Sequence, residues 1–207
     1  MLVGIFTEIM VFYINGNPGN MEKKNIVAKT ISGYYVPHMW DDTDVRPGLC
    51  PICRNVLEQI PNLLYKVRKN KSRDFMGTFD GFLIVSQKFK NFCDENGYED
   101  ITFARFFKSP NFYFFCPNRI YPLDYVRMET QFIGYNECCG QYDEVVGWRD
   151  FYRRSVDCIK GNDFICRADY FFAAFFNKSP IIVIGTETLE KMIKYGLSGF
   201  YCHDVYE

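Results

Sequence analysis

Gly81-Phe-Leu-Ile-Val-Ser-Gln-Lys-Phe-Lys-Asn-Phe92 changes its hydrophobic period part-way along. Phe82 to Val85 is a continuous apolar run, the pattern of a buried strand. From Ser86 onward Phe89, Phe92 and Cys93 recur at i, i+3, i+4, which is one face of a helix. Ser86 is placed to cap that helix over Gln87 to Glu95, and Gly97 to close it. The same switch recurs in Ile181-Ile-Val-Ile-Gly-Thr-Glu-Thr-Leu-Glu-Lys-Met-Ile193, with Gly185 at the junction. There a helix near Glu187 to Tyr195 ends before Gly196.

Further landmarks flank the two switches in the same order. Cys50-Pro-Ile-Cys53 and Asp74-Phe75 precede the first, and Cys138-Cys139-Gly140 and Asp163-Phe164 precede the second. Ile101-Thr-Phe103 and Gly199-Phe-Tyr-Cys202 follow them. An ordered series of this kind argues for a duplicated unit, over about 45–105 and 133–203. The expected fold class is α+β: a compact body built from two similar strand-helix units with a degenerate cysteine-pair element before each. Leu83, Val85, Phe89 and Phe92, with Ile182, Ile184, Leu189 and Met192, are its expected core. Ile26 to Pro37 reads as an early strand, and Phe103 to Phe115 as a strand pair broken at Ser109-Pro-Asn111. Asp163 to Phe176 reads as a helix carrying an aromatic stripe. Residues 1–20 end in the turn-rich Asn15-Gly-Asn-Pro-Gly-Asn20 and read as an N-terminal extension, leaving 21–207 as a single domain.

The 207 residues are enough to bury a sizeable core. The 21 Phe and 15 Tyr bring aromatic residues to 18%, which fits a sheet-heavy interior better than a recognition surface. With 24 basic against 25 acidic residues the net charge is -1, so no general field attracts nucleic acid. The basic run Lys66 to Arg73 reads as a solvated loop. Met1 to Ile14 is apolar but short and carries Glu8, so neither a signal peptide nor a membrane span is expected.

Nine cysteines, an odd number in a chain of this length, do not form the pattern of a disulfide scaffold. Cys93, Cys116 and Cys202 stand among apolar residues and read as reduced thiols in a cytoplasmic protein. Cys50 and Cys53 have the spacing of a zinc knuckle, in which two thiolates bind one tetrahedral ion. Cys138 and Cys139 are the candidates for the other two ligands, although adjacent cysteines form a poorer chelate. The competing reading leaves all four as packing residues. His38 and His203 belong to no catalytic or metal-binding pattern, and no phosphate-binding glycine loop is present. The acidic groups Asp41-Asp42-Asp44, Asp94-Glu95 and Asp143-Glu144 fall at expected turns.

These landmarks together resemble the bacterial double-CXXCG motif proteins, which are similar in turn to immunity proteins of polymorphic toxin systems. The resemblance covers roughly residues 26–207 and rests on motif order. Cys50-Pro-Ile-Cys53, Phe82-Leu-Ile-Val-Ser-Gln-Lys-Phe-Lys90, the second cysteine-glycine element and Leu197-Ser-Gly-Phe-Tyr201 carry it. Arg54 stands where the first motif has glycine, and Asn136 where the second has its leading cysteine. The resemblance implies a non-enzymatic immunity protein that binds a cognate protein toxin, with neither membrane nor nucleic acid as partner. A zinc-stabilised regulatory or nucleic-acid-associated module is the alternative, and a thiol-dependent enzyme a third. Trp40 to Asp44 and Gln141 to Glu144 are the candidate contact loops.

Overall fold

The structure, a computed structural model, describes residues 24–40, 46–68, 73–154, 159 and 161–207. The expected extension, 1–20, lies outside these, as do most of the expected contact loop after Trp40 and residues 69–72 of the basic run. The first strands are β1 (Ile26–Val36), β2 (Phe75–Thr78) and β3 (Leu83–Ser86), followed by helix α1 (Gln87–Glu95). Next come β4 (Ile101–Arg105), β5 (Phe112–Pro117), β6 (Ile120–Tyr121), β7 (Gln131–Asn136), β8 (Gln141–Val146) and β9 (Phe151–Tyr152). The chain ends with β10 (Ile165–Ala174), β11 (Ser179–Ile184), α2 (Thr186–Lys194) and β12 (Phe200–Tyr206).

The α+β expectation is overturned. Among the described residues a 12-stranded mixed sheet dominates and carries only two nine-residue helices, so the fold is mainly β. The largest single correction is Asp163 to Phe176, expected as a helix, which forms β10 and a 3-10 turn. β10 is paired antiparallel with β11 and β8 and parallel with β6, so its backbone is held extended by three neighbours. Such pairing overrides a helix-like aromatic spacing. Gln141 to Glu144, expected as a loop, lies in β8.

The two strand-to-helix switches fold alike. Ser86 Oγ accepts the Phe89 amide at 3.1 Å, the N-cap bond that starts α1. At the other end Gly97, with φ 70°, lets Tyr98 N reach Cys93 O at 3.0 Å. At the end of α2, Gly196 has φ 78°, and Leu197 N meets Met192 O at 3.0 Å. Both are glycine-terminated helix ends in which the left-handed residue satisfies otherwise orphaned carbonyls. The helices share one core: Leu83, Val85, Phe89 and Phe92 cluster with Ile182, Ile184 and Met192, and Leu189 packs against them. Met76 and Ile84 face a second cluster across the sheet, and Cys166 and Val183 a third. Burial on both faces explains why these strands read as unbroken apolar runs rather than alternating ones.

Strand pairing has the same order in both halves. β2, β3, β5 and β4 are successive neighbours on one side, and β10, β11, β1 and β12 on the other. The third strand in each row comes from the opposite half of the chain. β5 lies antiparallel to β3 and β4, as β1 lies antiparallel to β11 and β12. Each then crosses over: Tyr34 to Val36 of β1 run parallel to β2, and β6, just after β5, runs parallel to β10. Two aspartates tie the halves again. Asp74 accepts Ser86 Oγ, beside α1, and the Ser198 amide beyond α2. Asp163 accepts Thr188 and Lys191 of α2 and the Tyr98 hydroxyl beyond α1.

Candidate metal centre

Leu49 and Val56 form an antiparallel bridge, and inside it Cys50 N bonds Asn55 O at 2.8 Å. The four residues 51–54 make the turn, closed by Arg54 N to Cys50 O at 3.0 Å. The turn joining β7 to β8 has the same construction. Asn136 pairs with Gln141, residues 137–140 form the loop, and Gly140 N bonds Asn136 O at 2.8 Å. The last loop residue is left-handed in both, Arg54 at φ 64° and Gly140 at φ 68°. Asn136 therefore occupies the place of Cys50, and Cys139 that of Cys53. The second loop has its other thiol two positions later, at Cys138.

The turns face one another, and their four sulfurs all lie within 4.8 Å of each other. Cys50 Sγ is 3.8 Å from Cys138 Sγ, and Cys53 Sγ is 3.4 Å from Cys139 Sγ. Both separations far exceed a disulfide bond of about 2.05 Å, and all four cysteines are free. A tetrahedral ion with zinc–sulfur bonds of about 2.3 Å spaces its sulfurs by roughly 3.8 Å, so the gathering can hold a metal ion. The adjacent cysteines, expected to be a poor chelate, converge because the tight turn after Asn136 directs both inward.

The surroundings favour thiolate at Cys50 and disfavour it at Cys138 and Cys139. The backbone amides of Cys53 and Ile52 point at Cys50 Sγ and lower its pKa to about 7 against the cost of burial. Desolvation, and then the Cys53 sulfur, push Cys139 up. Four thiols so close cannot all ionise alone, and a cation bound there would release the remaining protons. Asn55, fully buried, directs its amide to Cys53 Sγ at 3.4 Å and to Asp143 Oδ1 at 3.1 Å. The freed Asn136 also donates to Asp143 Oδ1, at 2.7 Å. Cys50 is 2% exposed, whereas Cys138 is open to solvent, which gives an ion a way in.

The chain matches no family model and no curated protein. Its chemistry is therefore read from the geometry. Among the other cysteines, Cys93 is buried while Cys116 and Cys202 are half-buried, and all three are free. His203 lines a groove of about 580 Å³ between β1, β2, β10 and β11, and the His38 ring lies tilted 5.9 Å from that of Phe79. Among the described residues no helix is long and apolar enough to cross a membrane. Asn55, Asp143 and Lys178 were not legible as site residues. Of the three, Asn55 alone stands within two positions of a candidate ligand in the first pair.

Proposed function

We propose that this chain is a non-enzymatic, cytoplasmic immunity protein that binds and occludes a cognate protein toxin, on a scaffold closed by a structural zinc ion. The observation that carries the zinc part is the convergence of two cysteines from each half of the chain, Cys50 and Cys53 with Cys138 and Cys139, on one point. A complete sulfur set is the mark of a structural rather than a catalytic zinc site, because it leaves no position for substrate. The toxin-binding part rests on the resemblance to double-CXXCG and immunity proteins. It is supported by the rings of Tyr35, Phe79 and Trp148, which stand 66%, 55% and 49% exposed around the groove. Aromatic side chains of this kind anchor protein interfaces. The topological equivalence of the halves supports their descent from one duplicated unit.

The zinc reading is tested by metal analysis of the purified protein, with one zinc per chain expected. Cobalt in its place should give the intense sulfur-to-metal absorption of a tetrathiolate. Absence of bound metal would end this reading. Immunity is tested in cells that express the toxin encoded beside this gene. Co-expression should restore growth, and the two proteins should co-purify. The double change Cys50→Ser, Cys53→Ser should abolish metal binding yet preserve protection wherever the protein remains folded. Loss of protection in a folded, toxin-binding variant would replace occlusion with thiol or metal chemistry.

A further inference from the structure

Lys178 lies between β10 and β11 and is 3% exposed. Its Nζ donates to Asn55 Oδ1 at 2.7 Å and to the Tyr142 carbonyl. Both acceptors are neutral, and the ion pairs among the described residues do not include Lys178. The nearby Asp143 accepts the amides of Asn55 and Asn136, yet its carboxylate keeps its charge and acts on Lys178 across space. A buried ammonium without a charged partner is costly, so the fold retains it only where negative charge is supplied close by. Asp143 supplies part of it, and the sulfurs of Cys139 and Cys53 supply the next share. Asn55 bridges Lys178 and the sulfurs, its carbonyl taking the ammonium and its amide directed at Cys53 Sγ.

We infer that Lys178 is the counter-charge of the thiolate centre, placed by the second half of the chain to stabilise an anionic metal-bound form and transmitted through Asn55. A divalent ion held by four thiolates carries a net charge of -2, and a cation one residue away offsets part of it. Hydrogen bonds to the sulfurs and nearby charge tune such centres as the direct ligands do. The inference rests on the metal reading above and assigns these two residues a role in it. Its signature is a pair of opposite effects. Without metal, Lys178 is a buried charge that Asp143 offsets only in part, and it weakens the fold. With metal, the same charge strengthens binding.

The test compares Lys178→Met with the unchanged protein in two measurements, cobalt and zinc affinity by competition with a chelator, and urea unfolding of the metal-free form. The expected result is metal binding weakened about 10- to 100-fold, with a metal-free form at least as resistant to urea as the parent. Unchanged affinity in Lys178→Met, with a parent that binds cobalt as a tetrathiolate, would overturn the inference while leaving the metal site standing. Weaker binding accompanied by a less stable metal-free form would also overturn it, as the mark of a packing role. A parent that takes up no metal would sink both readings. Should Lys178→Met fail to fold, Asn55→Asp serves instead, since it gives the ammonium its own carboxylate. That variant is expected to bind metal more weakly, and equal affinity would refute the relay.

Discussion

Arg54 carries a backbone conformation that its side chain disfavours. At φ 64° a residue with a Cβ meets the strain of the left-handed region, and the equivalent place in the second turn is glycine. Arg54→Gly is therefore expected to raise stability by about 1 kcal/mol, read as a higher melting temperature with metal content unchanged. Removing its charge near the buried Arg46 guanidinium, whose pKa burial lowers to about 10, acts in the same direction. Asp163 gives a pH test. Burial pushes its pKa up, but hydrogen bonds from Lys191, Tyr98 and Thr188 outweigh this and bring it below the usual 3.8. A depressed carboxylate stabilises the fold above its unfolded pKa, and that contribution is lost as pH falls through the folded value. Asp163→Asn should flatten the loss of stability below about pH 4, measured by urea unfolding across pH; an unaltered acid limb would show that other carboxylates dominate.

Helix α1 is held at its start and along its buried face, and the two contributions are separable. Ser86 caps the Phe89 amide and donates to Asp74 at 2.6 Å. Ser86→Ala should cost about 1 kcal/mol, with a further loss from leaving the Asp74 oxygen short of a donor. Phe89 is fully buried, with its ring 5.8 Å from that of Phe75 and 5.2 Å from that of Phe115. Phe89→Ala should cost about 3 to 5 kcal/mol in equilibrium unfolding, and a much smaller loss would mean that the three-ring cluster collapses to fill the space. These features of α1 were readable because cap, apolar spacing and terminal glycine all lie within a dozen residues. β10 was misread because its ladder partners β6, β8 and β11 are contributed by three separate segments.

Exchange of β1 and β5 makes each half incomplete without the other. Residues 24–108 hold β1 but lack the strand that pairs β3 with β4, and residues 109–207 lack the strand between β11 and β12. Expressed separately, each fragment should be insoluble or unfolded, because an unfilled central position leaves two strand edges and an apolar face exposed. Co-expressed, they should form a soluble one-to-one complex that retains the thiolate centre. Independent folding of either fragment would show that the exchange contributes little. Metal removal acts at the same scale: chelation should lower the melting temperature of the intact chain and more strongly that of the two-fragment complex. The centre is then a link between the pieces that does not depend on sheet pairing, beside the Asp74 and Asp163 bonds and the core shared by the helices.

Local order along the chain determined the two strand-to-helix switches, the cysteine turns and most of the shared core, since each depends on neighbours within a few residues. The candidate metal ligands Cys50, Cys53, Cys138 and Cys139 were also legible, by spacing in the first pair and by position in the second. Tertiary structure alone decided that the fold is mainly β, that Ile165 to Ala174 is a strand, and that the first strand of each half completes the other. It alone placed Lys178 against Asn55 at the cysteine turn, 123 residues away in sequence. The physical reason is common to all four: ladder partners and buried counter-charges are chosen by proximity in the folded chain, and a residue's own sequence neighbours carry no record of them.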